Sequence, residues 1–104
     1  MIPSIIFGVT YKDNRGLLRY NNSFDASIVK RIYIIENNLN FIRGWQGHKI
    51  EQRWFSAIKG QFKVQLIKID NWIEPVKELK RITFNLTENT LDVLHIPAGY
   101  ITSI

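Results

Sequence analysis

Lys59-Gly60-Gln61-Phe62-Lys63-Val64-Gln65-Leu66-Ile67-Lys68-Ile69 is the stretch that decides the fold class. Lys59-Gly60 makes a reversal, and the residues after it alternate. Phe62, Val64 and Leu66, with Lys68 at the end of the row, fall on one face of an extended strand; Lys63, Gln65 and Ile67 fall on the other. The first face is mostly apolar and is expected to meet the core. Upstream, Ile50 to Ile58 reads as the strand that enters this hairpin.

The same pattern of short apolar runs and polar turns continues in both directions. Ser4 to Thr10 reads as a strand, Asp13-Asn14-Arg15-Gly16 as a tight turn, and Gly16 to Tyr20 as a short strand. Val29 to Glu36 reads as a longer strand, with Ile32 and Ile34 on one face and Val29, Tyr33 and Ile35 on the other. A helix would fit only within Ser27–Asn38, and the β-branched residues there favour a strand. Phe41-Ile42-Arg43 is a further short strand. Trp72 to Leu79, with Pro75, reads as an exposed loop. Arg81 to Leu86 alternates Ile82, Phe84 and Leu86 against Thr83 and Asn85. Thr90 to Ile96 ends at Pro97-Ala98-Gly99, and Tyr100 to Ile104 begins one more strand. Many short strands with regular turns predict an all-β sandwich or closed roll.

With 104 residues the chain is expected to form one domain, residues 1–104, whose small core would gain from a partner subunit. No segment approaches the roughly 20 apolar residues that span a bilayer. The start, Met1-Ile2-Pro3-Ser4, lacks the pattern of a secretion signal. There is no cysteine, which excludes disulfides and thiol chemistry. These features predict a cytoplasmic protein without a membrane partner. The net charge of +5 favours anionic partners. Lysines and arginines are spread along the chain with no nucleic-acid motif, so nucleic acid is not expected among them.

The densest polar cluster is Arg43-Gly44-Trp45-Gln46-Gly47-His48-Lys49-Ile50-Glu51-Gln52-Arg53-Trp54. On a strand Glu51, Arg53 and Phe55 share a face, so Glu51 and Arg53 are expected to flank a pocket with Lys63 or Gln65 from the returning strand. His48 is the main chemical candidate, since an imidazole moves protons near neutral pH. His95, in an apolar strand, reads as structural. Trp54, Phe55 and Trp72 read as core or subunit-interface residues.

Arg43-Gly44-x-x-Gly47-His48-Lys49 resembles the signature of nucleotide-sugar cupins: the dTDP-4-keto-6-deoxyglucose 3,4-ketoisomerases and the WxcM-like proteins. More distantly it is similar to the dTDP-4-dehydrorhamnose 3,5-epimerases. Asp13-Asn14-Arg15-Gly16-Leu17-Leu18, Lys59-Gly60-Gln61-Phe62-Lys63-Val64 and His95-Ile96-Pro97-Ala98-Gly99-Tyr100 resemble further epimerase segments in the same order. Arg53 falls where the epimerases have a lysine. The resemblance implies a cupin-type jelly roll that lacks the last strands of the family, a homodimer, and a nucleotide-diphosphate sugar as ligand.

It also implies roles. His48 would remove a proton beside the ketone of a dTDP-4-keto-6-deoxyhexose and return it one carbon over. Arg43 or Arg53 would stabilise the enolate. Arg15 would bind the diphosphate, and Tyr100 or Trp45 would stack on base or sugar. Gln46, Glu51, Lys63 and Gln65 complete the expected substrate-binding set.

The departures bear on mechanism. Gln46 stands where the epimerases place a base histidine and where the ketoisomerases have the first histidine of His-x-His. Thr102 stands at the later histidine of metal-binding cupins. One imidazole and one carboxylate are too few for a transition-metal site, so neither metal nor cofactor is expected. Two rival expectations remain: a sugar-nucleotide-binding cupin without turnover, and a structural dimer without a ligand.

Overall fold

Alternation of apolar and polar residues produces strands only where a partner strand covers the apolar side. The computed structural model describes residues 2–39, 41–48, 51–69 and 80–104. Its strands are β1 (Ser4–Ile6), β2 (Val9–Asp13), β3 (Gly16–Tyr20), β4 (Gln46–His48), β5 (Arg53–Phe55), β6 (Gln61–Lys68), β7 (Arg81–Thr87), β8 (Val93–Ile96) and β9 (Tyr100–Ser103). No helix occurs among the described residues, and every strand pairing is antiparallel.

Three sheets form: β1-β8-β5, the hairpin β2-β3, and β4-β9-β6-β7. The three- and four-stranded sheets share one core. Leu94 and Ile96 of β8 pack with Val64, Leu66, Leu86 and Tyr100 of the larger sheet, and Phe55, Phe62, Ile82 and Phe84 close round them. The expected apolar rows of β6 and β7 therefore point inward as read. Gly60 turns the hairpin into β6 at φ 83°, a conformation open to glycine at no steric cost.

The chain changes sheet between β4 and β5 and again between β8 and β9, so the β4–β9 pair of one sheet continues as the β5–β8 pair of the other. Gln46, Gly47 and His48 of β4 pair with Thr102, Ile101 and Tyr100 of β9. Further on, Arg53, Trp54 and Phe55 of β5 pair with Ile96, His95 and Leu94 of β8. Arg43 and Ile104 extend the β4–β9 pair by exchanging backbone hydrogen bonds of 2.9 and 3.1 Å.

The structure corrects several expectations. Val29–Glu36 is not a strand: its residues have no ladder partner among the described residues, and Ile32 and Ile34 are 90% and 86% exposed. β-Branched content favours extended backbone, but a strand also needs a neighbour to bond. Phe41-Ile42-Arg43 forms no strand either, although Arg43 holds Ile104. The Ser4–Thr10 run splits into β1 and β2 at Phe7-Gly8. There the backbone passes so close to Leu91 that an added Cβ at Gly8 would lie 2.4 Å from the Leu91 carbonyl oxygen. The strand read over Ile50–Ile58 shortens to β5, with Ile50 outside the described residues, and that read over Thr90–Ile96 begins at Val93. The Trp72–Leu79 loop and Lys49 lie outside the described residues.

The Cα radius of gyration is 15.2 Å, against about 13 Å for a globular domain of this length. Tyr11, Leu17 and Leu18 on the β2–β3 hairpin and Tyr33, Phe41 and Ile42 after it are exposed.

Candidate functional site

Among the described residues, Arg53 is an expected site residue whose charged group the fold carries into the space between the sheets. On β5 its side chain shares a face with Phe55, and its guanidinium carbon lies 5.9 Å from that ring's centroid. Nη1 donates to the Thr102 hydroxyl at 2.9 Å and Nη2 to the Tyr100 carbonyl at 3.3 Å, both on β9 of the other sheet. Nε is buried and has no hydrogen-bond partner among the described residues. Burial pulls the Arg53 pKa down to about 10, opposed by the negative charge of Glu51. The group remains a cation at neutral pH.

The β4–β9 ladder brings two more expected residues to this place by register. Gln46 is opposite Thr102, the acceptor of Arg53, and His48 is opposite Tyr100, whose carbonyl takes Nη2. Arg53, Glu51, Gln46, His48 and Tyr100 thus belong to one neighbourhood. The Tyr100 ring is 3% exposed within the core cluster, so it is packed rather than offered for stacking.

The remaining candidates lie apart. Arg15 sits at the tip of the β2–β3 hairpin, where Nη2 and Nε donate to Asp13 at 2.6 and 3.1 Å. That pair holds the Asp13 carboxyl below its usual range, chiefly through the Arg15 side chain. Arg43 donates from Nε to Asn37 Oδ1 at 2.7 Å. Trp45 lies under the Arg81 guanidinium, 5.4 Å from its ring centroid. Lys63 and Gln65 alternate with the inward Val64 and Leu66 and so occupy the other face of β6, away from Arg53. The shared pocket expected for Glu51, Arg53, Lys63 and Gln65 does not form. Strand parity separates its two halves.

A second constellation went unread in the sequence. On the outer face of the three-stranded sheet a cleft of about 340 Å³ is lined by Phe24, Asp25, Gln52, Trp54 and His95, among others. Trp54 and His95 stack with centroids 5.4 Å apart and planes 20° apart, and Phe24 tilts onto Trp54 at 6.3 Å. His95 Nε2 lies 2.7 Å from Gln52 Oε1. Burial lowers the His95 pKa, which leaves the ring neutral at neutral pH. His95 keeps the structural part read for it and also lines a cavity. Gln52, just before β5, and Trp54 within it alternate with Arg53, and that parity was the available signal.

Among the described residues, no three His, Asp or Glu side chains come together as a metal-binding group. Among the same residues, no helix is long and apolar enough to cross a membrane. Set against known protein families, curated proteins and solved structures, the chain matches none of them.

Proposed function

We propose that this chain is a cupin-type jelly roll that moves a proton next to the ketone of a dTDP-4-keto-6-deoxyhexose. The observation that carries the reading is Arg53: a desolvated guanidinium between the sheets with one N–H unspent. A fixed cation in a low-dielectric space is worth most where an enolate oxygen develops. His48, on the Tyr100 rung, is the base in this reading. It takes the proton from carbon 3, beside the ketone, and delivers it to carbon 4, while Arg53 holds the enolate oxygen and the 3-hydroxyl proton passes to the oxygen on carbon 4. Neither step calls on a metal or a cofactor.

The ordered sequence resemblance from Asp13 to Tyr100 supplies the substrate class. The antiparallel strand pairs that switch sheets are compatible with a jelly roll. A homodimer belongs to the same reading. The exposed apolar side chains and the large radius of gyration support it, and sedimentation showing only monomer at micromolar concentration would remove it. A cytoplasmic location goes with such a substrate.

The test is incubation with dTDP-4-keto-6-deoxyglucose and related 4-keto sugars in deuterated water. Catalysis predicts deuterium at carbon 4 of a 3-keto product, or at carbon 3 or 5 where the proton returns to the carbon it left, lost in His48→Gln and in Arg53→Met. Binding of the sugar nucleotide by calorimetry without exchange would instead select a cupin that binds without turnover. Gln46 favours that second reading, because an amide cannot serve as a base near neutral pH.

A further inference from the structure

The outer cleft has no part in the chemistry above. We propose that it is a second ligand site, which takes a small organic ammonium ion against the Trp54 and Phe24 rings with Asp25 as counter-charge.

The lining chemistry selects the ligand. The protein carries 14 lysines and arginines, yet among the described residues none lines this cleft, and the one carboxylate that does is Asp25. Asp25 Oδ1 accepts the Ser27 backbone N–H at 2.9 Å, and that bond lowers the carboxyl pKa. The group is therefore ionised. His95 contributes no positive charge at neutral pH, because burial disfavours its imidazolium. Aromatic faces attract cations through their quadrupole, most strongly for Trp. An anion would meet a carboxylate and no cation. A neutral apolar molecule would leave the carboxylate without use. An ammonium ion carrying alkyl groups satisfies both the rings and the charge.

The wall that bears Phe24 and Asp25 is also fixed in place. Asn21 Nδ2 donates to the carbonyls of Ile6 and Leu91, both at 2.8 Å. Its Oδ1 accepts the N–H groups of Ser23 and Phe24 at 3.2 and 3.0 Å. Val29 N–H bonds to the Ala26 carbonyl at 3.1 Å and closes the next turn. A pocket held open before binding loses less ordering entropy when it is filled.

The experiment is an NMR titration of the full chain with choline and, separately, with its uncharged carbon isostere 3,3-dimethyl-1-butanol. Choline should shift the Trp54 indole and His95 ring resonances saturably in the millimolar range, and bind at least about fivefold tighter than the alcohol. Asp25→Asn can still cap Ser27 but removes the charge, and should weaken choline about tenfold while leaving the alcohol unchanged. Trp54→Leu should abolish both sets of shifts. Equal affinity for choline and the alcohol would overturn the proposal. So would an unchanged choline affinity in Asp25→Asn, or no saturable shift at Trp54 and His95. Each readout is independent of hydrogen exchange on a sugar, so failure here leaves the interior site standing.

Discussion

The Arg53 guanidinium, rooted in the three-stranded sheet, donates to the Thr102 hydroxyl of the four-stranded sheet at 2.9 Å. With the Nη2 bond to the Tyr100 carbonyl, this contact ties the two halves of the core together through a cation whose Nε has no partner among the described residues. Burying a charge without full compensation costs stability, and an apolar residue of similar length often does better. Arg53→Met is expected to keep or raise the urea midpoint while lowering deuterium exchange by about 100-fold. A marked fall in the midpoint would mean that the Thr102 and Tyr100 contacts outweigh the cost of burial.

At Gly8 the main chain leaves no room for a side chain. An added Cβ would lie within 3 Å of the Leu91 carbonyl and amide atoms, which are backbone and cannot swing aside. The Gly8 N–H also donates to Asp92 Oδ1 at 2.7 Å, so a shift of the strand breaks that bond. Gly8→Ala should cost about 1–3 kcal/mol in chemical denaturation. A Gly44→Ala control, where a Cβ would meet nothing within 4 Å among the described residues, should cost less.

Asn21 satisfies two backbone carbonyls with one amide, at Ile6 and at Leu91. Both are partly buried, so truncation strips acceptors that water reaches poorly. Asn21→Ala is expected to lower stability by about 1–3 kcal/mol. It should also loosen the 21–28 segment, which faster amide exchange at Phe24 would report.

His95 makes stability depend on pH in a defined direction. Its folded-state pKa lies below the ordinary 6.5 because burial disfavours the charged ring. Between the folded and unfolded values the unfolded chain binds the extra proton. The stability is therefore fully present above about pH 6.5 and is lost as pH falls toward the folded value. Urea midpoints should decline from pH 7 to pH 5, and His95→Gln should flatten that decline. An equal slope in wild type and His95→Gln would assign the dependence to another group.

What the sequence made legible was local. Phe62, Val64 and Leu66 declare their burial by spacing alone, as do Ile82, Phe84 and Leu86, because each strand's parity is written in its own residues. Val29–Ile35 misled, since the same β-branched residues say nothing about whether a neighbouring strand exists. The candidate site divides likewise. Arg53 was legible as a cation facing inward on a strand with Phe55. Arg15 was read toward a diphosphate, yet it turns to Asp13, two residues away, a contact too short in range for strand logic to weigh. The outer cleft depends on Gln52 meeting His95 across 43 positions, which no local pattern announces.

Strand β5 is only three residues long, yet its neighbours in sequence serve opposite sides of a wall. Arg53 and Phe55 look into the molecule; Gln52 and Trp54 look out. A slip of that strand's register by one residue would exchange the two sets, sending the guanidinium to bulk water and the indole into the core. Register there can change only in steps of two, so the interior cation and the wall of the outer cleft stand or fall together.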